Sequence, residues 1–536
     1  MLNPRRFSPL TAFVSAAPRI AVAGVALLLL GSCTGSRPES PGPTSFAMDT
    51  GAEAFSIGYE GIADLYVEPV PTQSLALAAL DGVAALDPAI DFVRRGDSLI
   101  VTETGTPFAK FTVPGDDNPT KWARLTAAAL EAARQRSLVL SETTADRLYE
   151  VAFDAIAGKL DRFSRYHNAA ETRAGRAARK GYTGIGVTIG EANGSVIVAS
   201  VFHGSPASTA GLLPGDRFVS VAGHSVTDKD MEATANLLRG TIGTTVAIRI
   251  ARGTEERTFE ILRQRVIEDT VSYAAVGGMA YFKVSGFNSD TAHALSQALL
   301  EAKAALGDDL PGIILDLRQN RGGTLDEAVE VADLFVDHGI ILETQGRHSM
   351  SRHRYDAEYR TTATLAPIAV LIDSGSASAA EVVAAALQDS GRALVIGARS
   401  YGKGTVQRVI DIPPISSELI LTWARMHAPS GYALSDFGVF PSICTPDYGD
   451  DPEVSAAALE SGELRLSETM QKRLYVTRMD ETERQKLLGW CHADHPPSTT
   501  DSDTRLAVRL LSDRKLFQLA FHASRVALGE RPKDPN

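Results

Sequence analysis

The sequence is poor in three things: cysteine, surplus positive charge and long apolar runs. Three cysteines occur in 536 residues. Cys491-His492, with His495 nearby, comes nearest to a metal-ligand cluster, but no second ligand pair is spaced to complete a site, so no metal is expected. Lysine and arginine number 53 against 65 aspartates and glutamates, for a net charge of -12. That balance leaves no electrostatic footprint for nucleic acid. The apolar run Ile20 to Leu30 falls short of the roughly 20 residues that a membrane-spanning helix needs.

What is present is a globular composition, 44% hydrophobic and 22% charged. The length exceeds the about 250–300 residues that one core organises, so several domains are expected. Arg5, Arg6 and Arg19 flank the apolar run, and small residues and a cysteine follow it, the pattern of an export signal. Leu30-Gly-Ser-Cys33 resembles the lipobox of bacterial lipoproteins. The resemblance implies a signal peptide over 1–33, lipidation of Cys33, and a lipid-anchored body on the periplasmic side of the bacterial cell envelope. Thr34, in place of an aspartate, tilts this expectation toward the outer membrane. Residues 34–45, rich in Pro, Gly and Ser, read as a tether. With Cys33 used, Cys444 and Cys491 remain, either as one disulfide in an oxidising envelope or as two free thiols.

Residues 46–170 read as mostly helical, with apolar periodicity in Leu75 to Leu86 and Leu148 to Leu160 and two strands in Ser98 to Val113. Over 182–266, short β-branched strands alternate with Gly-rich turns. From 270 to 448, strands (Ala280 to Val284, Gly312 to Leu317, Ile368 to Ile372, Ala393 to Ile396) alternate with helices (Thr291 to Leu306, Leu325 to Asp337, Ala379 to Asp389). Such alternation predicts parallel strands with covering helices and a site at the strand C-terminal ends. Residues 449–536 read as a charged helical extension without a chemical motif.

Gly184-Ile-Gly-Val-Thr188, with Gly204-Ser-Pro-Ala-Ser-Thr-Ala-Gly-Leu-Leu-Pro-Gly-Asp216, resembles the PDZ domains of envelope proteases. The backbone around Gly184, Ile185, Gly186 and Val187 would form a nest of N–H groups for a terminal carboxylate, beside an edge where a peptide adds as a strand. The plainer reading makes these glycines turn residues of a small β domain.

Three segments carry chemistry. Ser374-Gly-Ser-Ala-Ser-Ala-Ala-Glu381 lies where a strand meets a helix. There Ser378 and Glu381 fit a capping box. A serine in that position also has its Oγ beside the free N–H groups of a helix start. Arg399-Ser-Tyr-Gly-Lys-Gly-Thr-Val-Gln407 follows the next parallel strand and returns to the same sheet end. Lys403 can act as a base only if burial depresses its pKa, and Gln407 can orient its amine. A phosphate loop is the competing reading of Gly397 to Lys403. It fails because Gly404 stands where Ser or Thr would hold Mg²⁺ and because a β-branched stretch, not a helix, follows. In Leu315-Asp-Leu-Arg-Gln-Asn-Arg-Gly-Gly-Thr324, Gly322 and Gly323 can present N–H groups at the sheet end, or form only a strand-to-helix turn with Asn320 as cap.

Together these segments resemble the C-terminal processing peptidases, serine proteases with a Ser-Lys dyad. The serine stretch, Gly-Lys-Gly-Thr-Val-Gln and their separation match that family, and the separation selects Ser378 over Ser374 and Ser376. The resemblance implies Ser378 as nucleophile, Lys403 as base, Gln407 as its orienting partner, and Ala379 with Gly322 or Gly323 as oxyanion donors. It extends to Leu160-Asp161, Ser164 and Tyr166 before the PDZ-like region, and to Pro429-Ser-Gly431 and Gly438-Val-Phe-Pro441 after the dyad. Ala380, Arg162 and Ser442 depart from the family pattern without removing a catalytic atom. The expected protein is α/β and multidomain, with a helical N-terminal region, a PDZ-like domain and a peptidase core of mostly parallel strands. It would need no cofactor and would act on proteins or peptides with exposed C-termini. The alternatives are a non-catalytic PDZ lipoprotein scaffold and a latent peptidase awaiting an adaptor protein.

Overall fold

Every residue of the strands Ile313–Asp316, Ile368–Ile372 and Ala393–Gly397 is buried. Continuous burial suits a parallel sheet covered on both faces rather than an alternating half-exposed one. In this computed structural model, which describes residues 46–226, 231–358, 362–447, 451–462, 480–491 and 501–526, those strands sit at the centre of a six-stranded sheet. Its order is Val271–Val276, Met279–Val284, Ile313–Asp316, Ile368–Ile372, Ala393–Gly397, Ile443–Cys444. The first pair is antiparallel and the rest are parallel. The export signal, Cys33, the tether, His492 and His495 lie outside the described residues.

Side-chain alternation along these strands divides two cores. Ile313, Leu315, Val370 and Val395 pack with the helices Thr291–Leu306, Leu325–Asp333 and Ala379–Asp389. Ile314, Leu371, Leu394 and Ile396 pack on the other face with Leu459, Leu506, Leu510 and Leu516. The extension after 449 is therefore the second covering layer of the sheet. The helix expected to reach Asp337 ends at Asp333.

A second, wholly antiparallel sheet is the feature least expected from the sequence. It runs His353–Asp356, Ile340–Gln345, Ser417–His427, Thr405–Ile412, and Arg165–His167 adds to Ser417–His427. Through it the N-terminal region joins the core, since Ile412, Leu419 and Leu421 pack with Phe55, Phe153 and Tyr166. The N-terminal region is helical as expected, with a three-stranded meander whose first strand, Ile90–Arg95, was not anticipated. Residues 187–262 form the PDZ-like sheet, with Val187–Ala192 as its terminal strand.

Candidate active site

The strand Ile368–Ile372 runs into Asp373, whose carboxylate accepts from Gly375 N–H (3.0 Å) and Gln319 N–H (2.9 Å). This ties the serine loop to the loop after Ile313–Asp316. Ser376 completes the tie: its fully buried hydroxyl donates to Leu317 O at 2.8 Å and accepts from Asp373 N–H. Ser376 is a structural pin, which leaves Ser378 to face the site.

Ser378 starts the helix Ala379–Asp389 with φ 60° and ψ -116°. An ordinary N-cap has extended backbone, and a non-glycine residue at positive φ costs on the order of 1–3 kcal/mol. Glu381 holds the distortion by accepting Ser378 N–H at 2.8 Å. The same side chain, fully buried, accepts from Ser400 Oγ (2.7 Å), Gly402 N–H (2.7 Å), Lys403 N–H (3.1 Å) and Gly404 N–H (3.4 Å). Its Oε2 thus takes the backbone N–H of both Ser378 and Lys403, and the two nitrogens lie no farther apart than the sum of those two bonds. Burial pushes the Glu381 pKa up, and its donors pull it back. Sequence reasoning used Glu381 only as a cap. The signal available was a carboxylate in an otherwise apolar helix start, three residues after the serine.

The lysine loop passes close to other backbone. A Cβ built on Gly402 would lie 2.8 Å from Asp436 backbone atoms, and Gly402 has φ 81°. Lys403 itself is mostly buried, with Nζ 5.8 Å from the centre of the Phe163 ring. Burial, aided by the nearby Arg165 guanidinium, brings its pKa down to about 8, while Glu381 and Asp161 oppose the shift. Free amine is then the minor form at pH 7 and the major one above pH 8. A rate that depends on it should fall about tenfold from pH 9 to pH 7, measured as kcat against pH.

Gln407 does not reach the lysine. Its Nε2 donates to Thr405 Oγ1 (2.8 Å) and Thr422 Oγ1 (3.4 Å), and Thr422 Oγ1 donates to Asp161 Oδ1 at 3.0 Å. Among the described residues no hydrogen bond joins Gln407 to Lys403; the bonds from its amide lead instead through Thr422 to Asp161, in the turn before Phe163 and Arg165.

The glycine pair divides. A Cβ on Gly322 would lie 2.7 Å from Ser378 Cβ and 3.0 Å from Ala379 N, so only glycine allows this approach. The Gly322 N–H, however, donates to Asn320 Oδ1 at 2.8 Å, which removes it as an oxyanion donor. Gly323 and Ala379 remain, and among the described residues neither N–H donates to another group. Asn320, fully buried, also takes Ala377 N–H on its carbonyl (2.9 Å) and donates to Val284 O (2.8 Å), so it fixes the loop from three sides.

Residues 278–445 match the model of Peptidase family S41 and residues 183–262 that of the PDZ domain. Over 301 residues the chain is 34% identical to a carboxy-terminal-processing protease of Bartonella bacilliformis, covering 55% of this chain and 69% of that protein. The chain belongs to peptidase family S41. This S41 serine peptidase is also 32% identical over 311 residues to a probable CtpA-like serine protease of Staphylococcus aureus, where the match takes in 57% of the chain and 62% of the relative. A photosystem II D1 C-terminal processing protease aligns at 28% identity over 69% of the chain and 92% of its own, with a TM-score of 0.34.

In the PDZ domain, a cavity of about 480 Å³ lies between the strand Val187–Ala192 and the helix Met231–Leu238. Ile185 and Val187 line it together with Arg239. Gly184 is paired with Gln264 in a two-stranded ladder, and Gly186, at φ 83°, backs onto Ser205, whose Oγ donates to Gly186 O at 3.2 Å. Val187–Ala192 ends its sheet, so among the described residues no strand pairs with its outer edge, and Ala174, Ala177 and Ala178 of the helix Ala169–Lys180 line the same cavity.

Cys444 and Cys491 are joined by a disulfide, Cα to Cα 5.7 Å, which settles the alternative left open by the sequence.

Proposed function

We propose that this S41 peptidase processes protein C-termini with a Ser378–Lys403 dyad, from a position lipid-anchored through Cys33 in the bacterial envelope. The observation that carries the dyad is the shared carboxylate: one Glu381 oxygen binds the backbone N–H of both residues. Lys403, driven toward the free amine by burial, takes the Ser378 proton as Oγ attacks the scissile carbonyl. The oxyanion is received by the N–H groups of Ala379 and Gly323. The protonated lysine returns its proton to the leaving amine, and water then hydrolyses the acyl-enzyme by the same base. A substrate tail adds along Val187–Ala192, its terminal carboxylate near Gly186 and its apolar end in the cavity beside Arg239.

The test is cleavage of an unstructured protein with an apolar C-terminus by the full chain in detergent, with a metal chelator present and a Ser378→Ala control. Chelator-resistant cleavage that disappears in the control is expected; equal cleavage by both proteins would refute the assignment. For the anchor, Cys33→Ser should leave the chain in the soluble envelope fraction, and retention in the membrane fraction would refute lipidation at that residue.

A further inference from the structure

The S41 match ends at residue 445, yet both active-site loops are fastened to chain beyond it. On the lysine side, Arg399 N–H donates to Cys491 O at 2.9 Å, and Cys491 is tied to the end of the parallel sheet through Cys444, whose neighbour in the ladder is Gly397. The helix Glu481–Leu488 just before Cys491 packs Leu487 against Phe437 and Phe440, and Arg484 sits 5.0 Å over the Phe437 ring. That Phe437 segment in turn holds the lysine loop: Asp436 N–H donates to Gly402 O at 2.8 Å, and Val439 N–H to Ser400 Oγ at 2.7 Å. On the oxyanion side, Arg318, a few residues before Gly322, donates to Asp501 (2.8 Å), Asp503 (3.3 Å) and Thr504 (3.1 Å) as well as to Asp316 (2.8 Å).

We infer that the segment beyond residue 445 is a positioning brace for this enzyme, and that the Cys444–Cys491 disulfide holds the Lys403 loop at its working place beside Ser378. The inference rests on the dyad reading above. None of these residues touches the reacting atoms; each acts through Arg399, Phe437 or Arg318 on a loop that does. A loop pinned at a few backbone points keeps Lys403 under Phe163 and away from water. Release of one pin lets the amine hydrate, which favours its protonated form. The charged groups facing Lys403 are Glu381 from its helix, which also holds the loop through Ser400, Gly402, Lys403 and Gly404, and Asp161 and Arg165 from the turn and strand before the PDZ domain, which make no bond to the loop's pins.

Truncation is a poor test, because Leu506 and Leu510 cover Ile314 and Leu371 and their removal would expose the sheet. The informative comparison uses the full chain with Cys444→Ser and Cys491→Ser together, and the unaltered protein before and after dithiothreitol. The reagent's two thiols reduce the disulfide to two cysteine thiols and themselves close to a cyclic disulfide. Leu487→Ala loosens the same helix without touching sulfur.

The expected result is a kcat at pH 7 lower by roughly tenfold with KM within about twofold, since a misplaced base costs rate rather than binding. The acid limb of kcat should move to higher pH and recover part of the loss there, with Leu487→Ala shifting it by less. Unchanged kcat and limb would overturn the inference. So would a loss without a limb shift, or a loss that coincides with unfolding of both the variant and the reduced protein, because the linkage would then serve stability alone. Lys403→Ala measured alongside separates the two claims: if it still cleaves, the dyad and the brace fall together. If it is inactive, the brace stands or falls on the limb.

Discussion

Replacing Lys403 by methionine is expected to abolish cleavage while making the folded protein more stable at neutral pH. The loss of rate follows from the dyad: without a base the Ser378 hydroxyl stays a weak nucleophile, and removal of the nucleophile or base of such a unit costs on the order of 10⁶-fold in kcat. Ser378→Ala should cost as much, and the double variant little more. The gain in stability follows from burial. Folding lowers the Lys403 pKa from the ordinary lysine value of 10.5 to about 8, chiefly by desolvation. Between those two values the unfolded chain binds the proton and the folded one does not, so the unaltered protein gains stability as pH rises. Below pH 8 the lysine is charged in both states, and the folded state bears the whole cost of burying the charge. That cost is about 3 kcal/mol from the size of the shift. Methionine fills nearly the same volume without it. Urea unfolding of Lys403→Met should therefore show a midpoint above the unaltered protein at pH 7, and the difference should vanish near pH 10.5. A variant that cleaves, or one that is less stable at pH 7, would contradict a neutral catalytic amine. Ser378→Ala carries no such pH signature, so the pair of variants distinguishes loss of chemistry from loss of charge.

Much of this site was legible in the sequence because the chemistry sits on local segments. Ser378, Lys403 and the glycine pair each lie just past a buried β-branched strand, and adjacent parallel strands bring their C-terminal ends together whatever the rest of the chain does. What the sequence did not reveal depends on long-range pairing. The second sheet joins Arg165–His167 to Ser417–His427 across a separation that no local pattern encodes, and it helps to place Asp161, Phe163 and Arg165 around the lysine. The covering role of the last helices was hidden for a related reason. Ser502–Ser512 is a charged amphipathic helix, and its apolar stripe does not say which face of which sheet it will meet. Gln407 was assigned to Lys403 by its place in the strand, but the structure shows a bulge in the ladder between Val406 and Gln407, and its amide meets Thr405 and Thr422 instead. For Gly322, the sequence offered an N–H donor or a plain turn, and showed neither the close approach to Ser378 nor that Asn320 already takes its N–H.

Glu381→Gln should cut the rate on the order of 10²-fold, less than loss of the dyad and by a different route. Oε2 accepts three N–H groups, from Ser378, Lys403 and Gly404, and Oε1 accepts Ser400 Oγ and Gly402 N–H. An amide has one oxygen. Placed with that oxygen toward Ser378 and Lys403, its NH₂ faces Gly402 N–H, a donor that cannot turn round, while the Ser400 hydroxyl can rotate to accept. The swap therefore strands at least one buried donor against another, a cost of about 1–3 kcal/mol in stability. Relief comes most readily by relaxing Ser378 from its positive φ, because that strained backbone is held by the bond being weakened. The nucleophile then leaves its alignment with Lys403 and with the Ala379 and Gly323 N–H groups, and a shift of about 1 Å costs on the order of 10²-fold in rate. The charge change adds a second signature with the opposite sense to release of the brace. Glu381 raises the Lys403 pKa, so its neutralisation lowers that pKa further and moves the acid limb of the residual kcat to lower pH. A profile of residual activity against pH, with unfolding followed in parallel, checks both parts. Full activity in Glu381→Gln, or a residual limb displaced to higher pH, would mean that the carboxylate is only a helix cap and that something else holds the serine and the lysine together.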